Sequence, residues 1–245
     1  MIRNIKLVFA YDGSAYSGMQ SQGLNNSVQE ELELAIFKIT GRSSRLITAG
    51  RTDAGVHAIG QVANFLTVAD IPGYAYKYHF QKYLSDSIIV TDSSEEDLNF
   101  HSRFSAKSKT YRYILYTGEF MHPSFNKSYT HISYKLDLSK MKEASKYLLG
   151  RHDFRAFTKY ESTSKNTIRS IDQIEIYQDG LKVVIEFKAE SFLYNQVRIM
   201  VGSLIDVGRG HRDPIYMKEL IDSKDRLKAG KTYSPSGLYL VKIDY

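Results

Sequence analysis

Nine residues, Gly50-Arg51-Thr52-Asp53-Ala54-Gly55-Val56-His57-Ala58, gather an Arg, an Asp, two Gly and a His directly after the apolar pair Leu46-Ile47. Charged residues beside glycine at a strand exit suit a loop held by a rigid scaffold, where reactive groups are commonly displayed. A lone ionised carboxylate there can act as a nucleophile or take a proton. An Asp-dependent hydrolase would need a second carboxylate or a nucleophile–His pair, and neither accompanies Asp53. Arg51 and Asp53 by themselves would look the same as a surface ion pair on an ordinary turn. Gly50 and Gly55, however, bracket the carboxylate and permit unusual backbone angles and close approach of a large substrate. His57 adds a third polar group within four residues of the Asp.

The elements around this loop follow from periodicity. Alternation over Ile5 to Phe9 predicts a strand running into a turn at Tyr11-Asp12-Gly13, and Ser14 to Asn26 reads as a polar loop. Ser27 and Glu30 form a capping box. The helix they open carries an apolar stripe at Val28, Leu32, Ala35, Ile36 and Ile39 and stops at Gly41. Strands are expected over Arg45–Ala49, Gln61–Leu66 and Ile88–Thr91, with a Tyr-rich helix over Tyr74–Leu84. In the second half, Lys109–Tyr116 alternates as a strand, and a helix spans Leu138–Leu149 with Gly150 as its cap. Two strands, Ile168–Tyr177 and Leu181–Lys188, meet at the hairpin dipeptide Asp179-Gly180. A helix then places Val197, Met200, Val201, Leu204 and Ile205 on one face, with Gly202 and Ser203 allowing close packing. Asp213-Pro214 starts another helix with an N1 proline, and Leu238–Asp244 is the last strand. The fold class is α+β: two similar subdomains, 1–103 and 104–245, each a mostly antiparallel sheet with helices on one face. A cleft between them is the expected site.

Composition excludes several classes of protein. With 245 residues and 42% hydrophobic content the chain can build real cores. There is no Cys for a disulfide or thiolate metal site, and the seven His show no pair at helical ligand spacing, so no metal is expected. No apolar run approaches the ~18 residues of a membrane span, and Met1–Asp12 reads as a strand rather than a signal peptide, which points to a soluble cytoplasmic protein. The net charge of +6 is unevenly spread: residues 1–100 hold 8 Lys+Arg against 11 Asp+Glu, and residues 101–245 hold 25 against 16. Between His101 and Gly118, Arg103, Lys107, Lys109 and Arg112 interleave with Phe104, Tyr111, Tyr113 and Tyr116, and no acid intervenes. Cations for phosphates beside aromatic faces for bases suit RNA, although a solvated strand of a basic protein has the same letters.

The stretch Gly50–Ala58 resembles, almost letter for letter, the signature of the TruA family of tRNA pseudouridine synthases. Three further blocks follow the family in order: Tyr11-Asp12-Gly13-Ser14-Ala15-Tyr16-Ser17-Gly18, Lys109-Thr110-Tyr111-Arg112-Tyr113, and Phe192–Arg198 with Val201–Leu204. Gly237–Leu240 resembles its closing strand. The resemblance implies Asp53, Tyr111 and Arg198 as catalytic residues, with Arg198 paired to Asp53. It implies Tyr111 and Leu238 at the base pocket; Arg51 and His57 beside Asp53, and Lys107, Lys109 and Arg112 in the basic segment, are the residues expected to face RNA. It implies isomerisation of uridine to pseudouridine at positions 38–40 of the tRNA anticodon arm, by a homodimer, without cofactor or metal. The other class open to such a chain is a catalytically idle tRNA-binding or RNA-chaperone protein, against which the joint presence of Asp53, Tyr111 and Arg198 argues. Met19 departs from the family's Trp, Gln196 from its Met, and Tyr83-Leu84-Ser85 from its N-x-x-L-P.

If the basic segment meets RNA, replacing Lys107 and Lys109 with Ala weakens binding to all tRNAs about equally and flattens the salt dependence of affinity. Filter binding over a salt series checks this; affinity unchanged at every salt concentration would mark the segment as a solvated strand.

Overall fold

The computed structural model describes residues 1–21, 26–159 and 166–245. Of the loop expected over Ser14–Asn26, residues 22–25 lie outside the described residues. The chain forms two compact units, one of Met1–Lys107 with Tyr239–Tyr245, the other of Ser108–Leu238.

In the first unit, β1 (Arg3–Tyr11) buries Ile5, Leu7, Phe9 and Tyr11, so alternation from Ile5 onward commits one face to the core, and Asn4 is buried on the other. The helix α1 (Val28–Thr40) begins as its capping box dictates: the Ser27 hydroxyl accepts from the Glu30 N–H, and the Glu30 side chain accepts from the Ser27 N–H. It ends at Gly41, left-handed at φ 71°. Four of the five stripe residues are buried, and Ile39 is half-exposed. The strand expected over Arg45–Ala49 shrinks to β2 (Ile47–Thr48), which pairs antiparallel with β3, and the Ala49 N–H adds a bond to the Val62 carbonyl at 2.9 Å. The next strand is longer than expected. β3 runs from His57 to Thr67, so the last two residues of the Asp53 stretch already belong to a sheet. The Tyr-rich helix contracts to α2 (Tyr76–Phe80), with Tyr76 and Phe80 buried and Tyr74 and Tyr78 exposed. It packs on β4 (Ile88–Glu96). β1 lies antiparallel between β3 and β4.

The second unit opens with β5 (Ser108–Tyr116), which carries Tyr111, Tyr113 and Leu115 inward. A short β6 (Thr130–His131) runs parallel to its end. Asp137 caps α3 (Leu138–Lys146), and Gly150, left-handed at φ 85°, opens β7 (Gly150–Asp153) rather than closing the helix. β8 (Ile168–Asp179) and β9 (Lys182–Ala189) form the hairpin that Asp179-Gly180 announces, with Gly180 at φ 57°. The antiparallel order is β5-β9-β8-β7. The helix α4 (Gln196–Gly208) differs from its expected one-faced burial: eleven of its residues are buried, leaving Arg198 and Asp206 half-exposed. It is therefore a central core helix. α5 (Tyr216–Ser223) starts after Asp213-Pro214, not on it; Asp213 accepts the Tyr216 N–H through its carbonyl, and Pro214 lies in that turn. The final strand, β10 (Leu238–Asp244), returns to the first unit and pairs parallel with β3 through Tyr239–His57 and Leu240–Ala58.

The glycine in α4 has a steric reason. A Cβ on Gly202 would stand 2.0 Å from the Lys231 carbonyl oxygen, and the Ser203 hydroxyl accepts the Gly230 N–H at 3.0 Å. Gly202→Ala must push that segment off the helix, and overpacking of this kind costs about 1–3 kcal/mol. A denaturant melt of the variant shows a lowered midpoint; an unchanged one would mean that the contact is loose.

Candidate active site

Asp53 sits half-exposed on the loop between β2 and β3, flanked by exposed Arg51 and buried Thr52. This loop lies mostly outside the sheet ladder, so its backbone polar groups need partners of their own. The segment Tyr11–Met19 supplies them. The Met19 N–H donates to the Thr52 carbonyl at 3.1 Å, the Gly55 N–H to the Gly13 carbonyl at 3.2 Å, and Gly18 forms an isolated antiparallel bridge with Asp53. Within the loop, the Val56 N–H returns to the Asp53 carbonyl at 3.1 Å. Further support comes from β3, where the Gln61 amide donates to the Gly50 carbonyl at 3.0 Å.

Two glycines make this approach possible. A Cβ on Gly13 would lie 2.0 Å from the Val56 carbonyl oxygen, and Gly18 holds φ 122° with the Thr52 carbonyl 2.9 Å from where its Cβ would be. Both positions exclude a side chain. Tyr11 adds a polar anchor from the core: its buried hydroxyl shares a 2.7 Å hydrogen bond with the Thr52 hydroxyl, and burial pushes its pKa up to about 12. The phenol is thus held neutral, a hydrogen-bonding post for the residue that precedes Asp53 in the chain.

His57 is placed differently from its expected RNA-binding role. Only 4% exposed, its Nδ1 accepts the Gly13 N–H at 3.2 Å and its ring stacks on Tyr239 at 4.7 Å. Buried in that manner it braces the loop and offers no surface to a phosphate. Arg112 is half-exposed on β5, and its Nε donates to Glu186 at 2.6 Å on the neighbouring strand. Lys107 is exposed, and Lys109 is half-exposed on β5.

Arg51, Asp53 and His57 belong to the first unit; Tyr111, Arg198 and Leu238 belong to the second. Tyr111 is 8% exposed, with its ring edge-on to Phe192 at 5.2 Å. Tyr113, two residues on, is fully buried and its hydroxyl donates to the Ser234 carbonyl, so this tyrosine is core. Burial raises its pKa well above the ordinary phenol value. Arg198 projects from the first turn of α4, where its Nε donates to the Tyr233 carbonyl at 2.7 Å and its Nη1 to the Asn195 side-chain oxygen at 2.7 Å. Leu238 is buried. Sequence reasoning did not single out Tyr233 or Asn195. Tyr233 offers no signal in one dimension, whereas an Asn just ahead of a helix is a recognisable cap position.

Among the described residues no three His, Asp or Glu side chains cluster as a metal site would require, and no helix is long and apolar enough to cross a membrane.

Residues 7–105 and 144–245 match a family described as tRNA pseudouridine synthase. A tRNA pseudouridine synthase A of Acetivibrio thermocellus is 42% identical over 244 residues, covering 100% of both chains. One of Finegoldia magna is 45% identical over 244 residues, and the tRNA pseudouridine synthase A 2 of Clostridium perfringens is 43% identical over 245, each again covering 100% of both chains.

The Tyr11 anchor can be removed without touching the loop itself. Tyr11→Phe leaves the Thr52 hydroxyl short of its buried partner, at a cost of about 1–2 kcal/mol. Urea unfolding should show a lowered midpoint at unchanged slope; an unshifted midpoint would mean that the hydroxyl contributes nothing to holding the loop.

Proposed function

The chain belongs to the tRNA pseudouridine synthase family, and from that premise we propose that it acts on uridines 38–40 of the tRNA anticodon arm with Asp53 as the reacting carboxylate. Family membership establishes the overall reaction, conversion of uridine in tRNA to pseudouridine. In that isomerisation the bond between N1 and C1′ breaks, a bond between C5 and C1′ forms, the C5 proton departs, and N1 takes up a proton. An ionised Asp can attack C1′ or remove the C2′ proton, and both routes leave a detached uracil to turn within the pocket.

The observation that carries the assignment of Asp53 is the construction of its loop. Its carboxylate is the sole acid among residues 50–58, and its backbone is held by Gly13, Gly18 and Met19 from another segment. Such anchoring keeps a reacting group in one geometry, which is where much of the rate of a positioned reaction comes from. Arg198 is the proposed partner of that carboxylate, since a cation within ~4–6 Å favours its ionised form. Tyr111 is proposed to stack on the uracil, and its hydroxyl to help the C5 proton leave. Leu238 is proposed to line the base pocket, and Arg51, exposed beside Asp53, to meet the RNA backbone or fill the space of the displaced base. Extracting the base from its stack costs a few kcal/mol, drawn from contacts along the arm. The proposed active form is a homodimer.

Asp53→Asn is nearly isosteric but cannot attack or accept a proton as a carboxylate does. It should abolish pseudouridine formation, measured by tritium release from labelled tRNA, while tRNA affinity stays near normal. Activity within tenfold of the unsubstituted enzyme would refute the assignment.

A further inference from the structure

Asn195 has a backbone that its position does not explain. It precedes α4 at φ 61° and ψ 6°, in the left-handed region. The N-caps of α1 and α3 are extended, Ser27 at φ −122° and Asp137 at φ −82°, and each accepts a backbone N–H from the first turn of its helix, while Ile215 before α5 is right-handed at φ −59° and makes no cap bond. Asn195 makes no such cap bond. Gln196 instead receives the Leu193 N–H on its side-chain oxygen at 2.7 Å. Among the described residues, Asn195 and Lys224 alone hold positive φ without being glycine, and Lys224 lies at a helix C-terminus, where that conformation is common. A residue kept in the left-handed region at a helix N-terminus, where Gly would fit with less strain, points to a use for its side chain.

That use is visible in its hydrogen bond. The Asn195 side-chain oxygen accepts from Arg198 Nη1 at 2.7 Å, while the Tyr233 carbonyl accepts from Arg198 Nε at 2.7 Å. The Tyr233 N–H in turn donates to the Arg198 carbonyl at 3.3 Å, and its hydroxyl is bonded to that of Tyr134 at 2.9 Å. A guanidinium is planar, so fixing Nε and Nη1 sets the direction in which the whole fork points. Asn195 is 8% exposed, so its bond to the Arg is largely shielded from water.

We propose that Asn195 is a positioning residue that aims Arg198 in the uridine isomerisation. This rests on the reading of Arg198 as the partner of the Asp53 carboxylate. Asn195→Gly separates the backbone from the side chain, because Gly accepts the left-handed conformation and lacks only the acceptor oxygen. The variant should melt close to the unsubstituted protein, because relief of the left-handed strain offsets the lost hydrogen bond, bind tRNA with unchanged Kd, and leave KM nearly constant. Its kcat should fall about 10²-fold, the scale on which a misplaced catalytic group slows a reaction. The acid limb of its pH–rate profile should move to higher pH, since a carboxylate whose cation is less well aimed is harder to keep ionised. Asn195→Asp retains an acceptor oxygen and should recover kcat to within tenfold. Adding Asn195→Gly to Arg198→Ala should slow the reaction no further.

Arg198→Ala at the unsubstituted rate would overturn the role of Arg198 and this inference with it. A slow Arg198→Ala beside an Asn195→Gly of normal kcat would overturn the inference alone. So would an Asn195→Gly that is slow and also melts several degrees lower, because that marks a structural residue.

Discussion

Everything around Asp53 depends on one constraint: a loop that leaves the sheet must still satisfy its backbone N–H and C=O groups. Here a second loop meets the requirement. Thr52 and Asp53 find backbone partners in Gly18 and Met19, and Gly55 finds one in Gly13. Because these bonds join stretches far apart in the chain, the arrangement persists only if both β1 and β3 are in register, which their antiparallel pairing from Arg3–Thr67 to Phe9–Gln61 provides. The register shift between Phe9 and Tyr11 then turns Tyr11 to Ala58, beside the loop it anchors.

The second unit solves a related problem with a helix. A core helix buried on nearly every side has few places to present a cation, and α4 does so in its first turn, at Arg198. The close approach at Gly202 and Gly230 brings the Lys231–Tyr233 segment against the helix, which is what puts the Tyr233 carbonyl within reach of the guanidinium. Packing and polar geometry are therefore one device: the glycines set the distance, and the carbonyl uses it.

Local signals in the sequence translated well into structure because they are short-range physics. Ser27 with Glu30 and Asp179 with Gly180 describe interactions that close within a few residues, and both elements formed as those pairs dictate. The family signature likewise made Asp53 legible as a candidate. Extents failed where pairing decided them: β2 kept two residues because its ladder with β3 spans only Ile47–Asn64 and Thr48–Ala63. Surroundings stayed hidden where the partner is remote. Glu186 comes beside Arg112 only through the long-range pairing of β5 with β9, and His57 looks displayed until Tyr239 stacks on it. Burial on all sides of α4 was illegible for the same reason, since periodicity shows which residues are apolar and not how many neighbours surround them.

The return of β10 to β3 also has a meaning in time. Ser108–Leu238 are translated between the two pieces of the first unit. At ribosomal rates of about 5–20 residues/s, β3 and His57 wait on the order of ten seconds for Tyr239. During that interval the nascent chain carries a sheet with an unmatched stretch of backbone beside the Asp53 loop, open to the wrong strand of another polypeptide. A ribosome stalled anywhere in the second unit would thus release a product defective in the first.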